Sequence, residues 1–594
     1  MIKHNCTVTK IPSILIVPIL MTSTNILLFV SSISPSCSQR IWYFDSPVQF
    51  MLFIVANLTF LLYAVFNTSK IDQYKLFIPL YFFLALDTSQ KFRYTYLTNP
   101  FDTTGLRGLF SDILSSGHIP STGFYIEYAG QYNRLFIGPL HTVAWMKISG
   151  ISEALGLDTS IKFYETLLKI FLYLCFLLMA KECSKNNKAL NLLLITFSAF
   201  VSFSQVLTLQ TYALPFLTLI VYLLIRIARN PSKQNLLLLI LLNVVLVNTH
   251  STTSLIYTFL ALITLAVNLV TKAITNKNVP KQLTNIMVFS IALFFIKFLY
   301  DAFKYFRTFY TIGLNIVWNF YEMLFGRYIL NPQVEGLIII KKRLSFIDSV
   351  SLLIIRLAED ALIYSLVVVS LTLAFVSNLR IKNRVNKSDS ILDSSFRFTA
   401  LLILLITFIL SLQGSLYTAF SMKTQLLIYS FRDLTSFFLN IERRMKIRNL
   451  LLLLVIIANV ITGNTLFVPQ IAGQPVVAYH NVNTVYKVNI ITFTAIYLQS
   501  DVKLSSDYVT GWQIMGYAPQ LFKNYIWAPP ILSGFSYNVV TLLPTPDFKA
   551  GYLGEPLVYR LNYQQFFKDT IPNLNLLYHN GNMVGVCNAT VLIG

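Results

Sequence analysis

Long apolar runs broken by basic clusters recur along this chain, and they constrain its fold more than any other feature. A membrane-spanning helix takes about 20 residues. In lipid, only helices and closed barrels satisfy their own backbone polar groups. Runs of helical length lie near 11–33, 47–66, 75–87, 163–180, 190–208, 212–228, 235–249, 253–271, 284–300, 350–377, 397–412, 416–440 and 449–466. They predict an α-helical polytopic membrane protein with about 13 transmembrane helices. The runs 75–87 and 235–249 are short for a span, and 416–440 carries charges. Of the 594 residues 55% are hydrophobic and only 12% charged, against roughly 25% charged in soluble proteins. So little charge cannot cover a soluble surface of this size, which excludes a plain cytosolic enzyme and a disordered or fibrous chain. Lys3 and Lys10 before an apolar stretch resemble a signal peptide, but Ile11–Ile33 is long and many spans follow, so a retained first span is expected.

The net charge of +21 follows the positive-inside bias summed over many cytoplasmic loops. No basic run is interleaved with stacking aromatics, so nucleic acid is not an expected partner, whereas membrane lipids are. The connectors Lys181–Lys188, Arg226–Lys233, Lys272–Lys281, Arg380–Arg397 and Arg443–Arg448 are rich in Lys and Arg. Placing them inside puts the N-terminus in the cytoplasm. Loops 88–162 and 301–349 and the segment 467–594 then fall outside a cell membrane crossed many times. The five cysteines, Cys6, Cys37, Cys175, Cys183 and Cys587, are too scattered for a disulfide framework or a metal knuckle.

After Gly463 the apolar runs shorten to strand length. Asn580-Gly581, the preferred pair for a tight hairpin, separates Leu574–Tyr578 from Met583–Val586. A small mixed α/β domain is expected there. Four parts result: 1–74, two additional N-terminal spans; 75–300, a membrane core with the large outer loop 88–162; 301–466, an outer loop and the C-terminal spans; and 467–594, the extracytoplasmic α/β domain. Asn588-Ala-Thr590 is a sequon on the outer side.

Ionisable groups near a bilayer are costly to keep without use, and here they converge on the outer face. Loop 88–162 holds Arg93, Asp102, Asp112, His118, Tyr128 and His141, and Gly105–Leu114 suits an amphipathic helix lying on the membrane. A carboxylate such as Asp102 serves as general base, holds a divalent cation, or caps a helix. His250 sits in the polar turn Asn248–Thr253, where an imidazole among hydroxyls binds phosphate or shuttles a proton. Arg356, Glu359 and Asp360 share one helix face, either as a self-satisfied pair or with a carboxylate left for chemistry. Arg432 lies inside an apolar run beside Asp433, either as a structural pair or as a bidentate phosphate ligand. Walker, dinucleotide, zincin and nucleophile-elbow motifs are absent.

The succession Arg93-Tyr94, Phe101-Asp102, Ile113–Pro120, Pro139-Leu140-His141 and Ile148–Ser152 resembles the first outer loop of the GT-C superfamily of membrane glycosyltransferases. The likeness is to archaeal oligosaccharyltransferase-like multipass members, which act in protein glycosylation. The turn His250–Thr253, Ser505–Tyr508 and Tyr578–Gly581 are similar to pieces of such proteins. The resemblance implies an inverting transferase using a polyprenyl- or dolichyl-phosphate-linked sugar on the outer face. Asp102, His250, Glu359 and Asp360 would be its catalytic groups. Arg93, Arg432, His141 and Tyr128 would bind substrate, with Arg432 on the lipid phosphate. No cofactor is certain; a magnesium or manganese ion would rest on Asp102 and Glu359. The chain departs from the pattern in the next outer turn, Leu209-Gln210-Thr211, which lacks the second carboxylate of metal-using members. Two other functions stay open: a non-catalytic, membrane-anchored surface protein on a degenerate scaffold, and a lipid-oligosaccharide flippase or transporter.

Overall fold

The structure is a computed structural model. It describes residues 96–97, 102–119, 136–183, 194, 207–275, 281–304, 340–341, 364–365, 367–373, 387–412, 416–442, 485–497, 503–506, 508–526, 539–544, 552–554, 557–560, 575–579 and 583–587. The expected spans 11–33, 47–66, 75–87 and 449–466, and most of 190–208 and 350–377, lie outside the described residues.

The helices run in chain order as α1 (Asp102–Ser116), α2 (Ile137–Ser149), α3 (Ile151–Leu155), α4 (Leu157–Cys183), α5 (Leu209–Arg229), α6 (Lys233–Val247), α7 (Ser251–Thr275) and α8 (Lys281–Lys304). After strand β1 (Ile340–Lys341) come α9 (Lys387–Leu412), α10 (Leu416–Glu442) and α11 (Val485–Tyr497). Among the described residues, four helices are long and apolar enough to cross a membrane: α4, α5, and the stretches Ser251–Ala273 and Lys281–Phe303. Local chemistry marks their ends. Thr208 and Thr211 form a reciprocal capping box at the start of α5, and the Ser232 hydroxyl accepts from the Asn235 N–H at the start of α6. Gly117 ends α1 at φ +76°, its N–H returning to the Ile113 carbonyl at 2.8 Å.

The helix α5 is the axis of the bundle. It packs on α4, α6, α9 and α10, and 78% of its apolar stretch is buried, against 22% for the peripheral α8. Lipid tails are as apolar as leucine, so burial alone does not join helices in a bilayer; close packing and polar ties do. Two ties cross between α9 and α10. The Arg397 guanidinium donates to both Asp433 oxygens at 2.8–3.0 Å, and Arg432 donates to Asp393. Arg229 pairs with Glu182 at 3.2 Å beside them, and the Cys183 thiol lies against Arg432. These charges brace one end of the bundle.

The C-terminal part adds β2 (Lys503–Ser506), α12 (Tyr508–Tyr517), β3 (Tyr525–Ile526), β4 (Val539–Pro544), β5 (Tyr552–Gly554), β6 (Leu557–Arg560), β7 (Asn575–His579) and β8 (Met583–Cys587). A mixed sheet has the order β3-β2-β4-β8-β7. Its β2 is parallel to both β3 and β4, so α12 forms the crossover of a βαβ unit. The other two pairings, β4 with β8 and β7 with β8, are antiparallel. A second sheet, β1-β6-β5, pairs Ile340 with Arg560, joining segment 301–349 to the C-terminal part. In the same way α12 packs on α1. The C-terminal part therefore touches both of the other segments that loop charge assigns to its side of the membrane.

Removing one partner of a buried pair leaves an uncompensated charge. Asp433→Ala should destabilise the protein by about 3–5 kcal/mol, whereas Arg397→Met with Asp433→Leu should be close to neutral. Thermal unfolding in detergent checks both.

Candidate functional site at the Asp102 end of the bundle

Asp102 is the first residue of α1. The helix forms because its apolar residues recur at helical spacing: Leu106, Leu109, Phe110 and Ile113 are all buried. They pack with Val143 and Met146 of α2, Ile161, Tyr164 and Leu168 of α4, Tyr212 of α5 and Met515 of α12. The Thr103 hydroxyl donates to the Leu207 carbonyl at 3.0 Å, which anchors the start of α1 against the start of α5.

His141 in α2 hydrogen-bonds through Nδ1 to the Tyr164 hydroxyl. Partial burial pushes its pKa below the ordinary histidine value. Tyr164 stacks at an angle against Trp145 and Tyr212, whose hydroxyl meets the Thr142 hydroxyl at 2.5 Å. Gly138 has to be glycine here, since a Cβ would come within 2.7 Å of the Tyr212 ring. Asp112, half-buried on α1, has its pKa raised by burial. His118 is exposed and turns back on its own loop, Nδ1 facing the Ser116 carbonyl at 3.0 Å.

Two features here went unnoticed in the sequence. The first is a stripe on α4: Lys162, Glu165, Thr166 and Lys169 are buried at 2–8% exposure. Spacings of three and four put them on one helix face, and Lys169 meets Glu165 at 3.2 Å. That periodicity was readable in an otherwise apolar run. The second is a tie around Arg107, which donates through Nε to Asp158 and through a terminal nitrogen to the Gly516 carbonyl at 2.7 Å. Its guanidinium carbon lies 4.3 Å from the Tyr517 ring centroid. No local signal links Arg107 to residues 409 and 410 positions later.

The structure groups only some of the expected site residues. The start of α1, led by Asp102, and His141 belong to one cluster. His250 belongs to the neighbouring core: its Nδ1 faces the Thr253 hydroxyl at 2.8 Å, and Gln425 donates to that hydroxyl at 3.1 Å. Two buried polar atoms one helical turn apart on α10, Gln425 Oε1 and the Tyr429 hydroxyl, have no hydrogen-bond partner among the described residues. The α6 helix that leads to the His250 turn has 15 residues, about 22 Å, so the turn stops short of the ends of α4 and α5. Arg432 is elsewhere. It lies beside Cys183, at the far end of α4 from Asp158, about 37 Å along the helix. Its guanidinium engages Asp393, while Asp433 engages Arg397. Arg93, Tyr128, Glu359 and Asp360 lie outside the described residues, as does the Asp102 side chain. Among the described residues no group of three or more His, Cys, Asp or Glu side chains could hold a metal ion.

No protein-family model matches the chain, and no curated protein matches it. Among solved structures, the chain is similar to the crystal structure of ArnT from Cupriavidus metallidurans bound to undecaprenyl phosphate. The identity is 10%, over 92% of this chain and 100% of that one, with a TM-score of 0.39. At that score the likeness settles neither fold nor chemistry.

Two outcomes follow from the geometry. A Cβ on Gly516 would sit 2.3 Å from the Thr104 carbonyl oxygen, so Gly516→Ala should cost about 1–3 kcal/mol and speed hydrogen exchange across residues 508–517. Burial holds the His250 pKa down at about 4, below the unfolded value of about 6.5. Between these values the unfolded chain binds more protons, so stability falls as the pH is lowered through that window. His250→Asn should make the fall shallower, as read by thermal unfolding from pH 7 to pH 4.

Proposed function

We propose that the protein is a GT-C-type membrane glycosyltransferase that moves a sugar from a polyprenyl- or dolichyl-phosphate donor to an acceptor at the outer face. The observation that carries this reading is the inward-facing stripe Lys162–Glu165–Lys169 on the membrane helix α4. Lysines turned into a membrane protein's interior mark a functional site. Ammonium groups at that depth suit the phosphate of a lipid whose tail stays in the bilayer. The stripe begins four residues after Asp158, on the part of α4 that packs against α1. The sequence likeness of loop 88–162 to GT-C enzymes points the same way.

In this reading Asp102, heading α1, orients the acceptor hydroxyl and takes its proton. The acceptor oxygen bonds to the anomeric carbon from the face opposite the leaving group. The bond from that carbon to the phosphate oxygen breaks with inversion, and the lipid phosphate departs. Lys162 and Lys169 hold that phosphate and stabilise its charge. They take this role in place of Arg432, which lies beside Cys183 at the far end of α4, and Lys169 exchanges its 3.2 Å contact with Glu165 for the phosphate. His141 and Tyr164 wall the site beside α1. His250 is a neutral donor from the neighbouring core. Magnesium or manganese would add charge stabilisation if Asp102 and Glu359 hold it.

One observation favours transport instead. Polar side chains continue into the bundle beyond His250, with the Tyr257 hydroxyl 3.2 Å from Ser290, which in turn donates to Asn243 at 3.2 Å. A flippase would carry lipid-linked sugar between leaflets with no glycosidic product.

Purified protein in lipid should consume a polyprenyl-phosphate sugar. Asp102→Ala should abolish this while the protein still unfolds cooperatively on heating, and Lys162→Met with Lys169→Met should raise the KM for donor about 10-fold or more. Full turnover by Asp102→Ala would remove Asp102 from the mechanism. Donor movement without product in the wild-type protein would replace the transferase with a flippase.

A further inference from the structure

The tie around Arg107 does something that apolar packing cannot. An apolar stripe holds a helix close to its neighbours, but its attraction is non-directional. Such a helix can shift along its axis at little cost. Hydrogen bonds and ion pairs are directional, so they fix axial position. On α1, whose 15 residues begin at Asp102, Arg107 supplies that constraint from three sides. Its Nε donates to Asp158 at the start of α4, another nitrogen donates to the Gly516 carbonyl at 2.7 Å, and its flat face lies 4.3 Å from the Tyr517 ring centroid. Tyr517 closes the loop. Its hydroxyl donates to the second Asp158 oxygen at 3.3 Å and accepts the Leu97 N–H at 3.3 Å, and Tyr96 meets its ring edge-on at 5.4 Å. The Arg107 and Asp158 side chains keep 21% and 12% exposure, so the pair is largely shielded from water. Gly516 permits the closest approach of α12, with its α-carbon set directly against the Thr104 carbonyl.

We infer that Arg107 is the positioning residue for Asp102, and that α12 of the C-terminal part is thereby a working piece of the transfer site rather than a tethered appendage. The inference rests on the glycosyltransferase reading for its catalytic consequence. A slip of α1 by one residue moves Asp102 by about 1.5 Å. A misplacement of that size can cost about 100-fold in rate. Arg107 reads three partners that are 51, 409 and 410 positions away in the chain. Lysine, a point charge without a flat face, cannot meet all three at once.

The test uses the full-length protein in lipid nanodiscs with a polyprenyl-phosphate sugar as donor. Arg107→Gln should lower kcat about 100-fold with donor KM within about 3-fold, because Arg107 acts on position and not on binding. Arg107→Lys should recover only part of the loss. Tyr517→Phe, which keeps the ring and removes the hydroxyl ties, should lower kcat about 10-fold and serves if the Arg107 variants do not fold. Hydrogen exchange of the amides in 102–110 and 508–517 should quicken together in each variant. Unchanged kcat in Arg107→Gln, or a raised KM at unchanged kcat, overturns the inference. If the wild-type protein consumes no donor, the glycosyltransferase reading fails by itself. The exchange arm then still decides: no coupled quickening means that Arg107 does not hold α1 to α12.

Discussion

Hydrocarbon offers no partner for a hydrogen bond, and this constraint shapes the whole bundle. Every backbone polar group on a spanning helix has to be satisfied within the protein, and side-chain groups mostly follow. Many hydroxyls return to the carbonyl four residues back, as Thr218, Thr258 and Thr264 do at 2.7–2.8 Å. Charged groups need each other, so the guanidinium and carboxylate groups of α9 and α10 cross-pair. On α4 the inward-turned Lys169 follows the same rule, meeting Glu165 one turn earlier at 3.2 Å.

The two ends of the bundle are built differently. The Arg432 end is braced by ion pairs among α4, α5, α9 and α10, and packing between long helices fixes it. The Asp102 end is made of short helices, aromatic rings and one arginine that draws in the C-terminal part. Directional ties of this kind fix the position of α1 where apolar packing alone would leave it free to slide. The C-terminal part also joins segments that the chain keeps far apart, since α12 reaches α1 and β1 reaches β6.

Much of the membrane part was legible because a helix in lipid writes its own length and polarity into the sequence. The runs 163–180, 212–228, 253–271 and 284–300 fall within α4, α5, α7 and α8. The amphipathic stretch Gly105–Leu114 lies inside α1, whose buried face repeats at three and four residues. The short run 235–249 coincides with α6, whose 15 residues place the His250 turn below the ends of its neighbours. The role of Arg432 was the hardest to read. Its adjacent carboxylate, Asp433, looked like its partner, but adjacent residues on a helix point in different directions. Each reaches across to α9 instead.

Composition and periodicity by themselves marked helices long and apolar enough to cross a membrane, because in lipid only helices and closed barrels satisfy their own polar backbone and these runs have helical length. They also marked residues 102–141 as a place where polar groups collect. Tertiary structure alone decided which of those groups meet. Arg107 finds Asp158, Gly516 and Tyr517, and Arg432 lies a helix length away. Such meetings depend on the direction of each helix face and on contacts between segments hundreds of residues apart, and no local pattern encodes those.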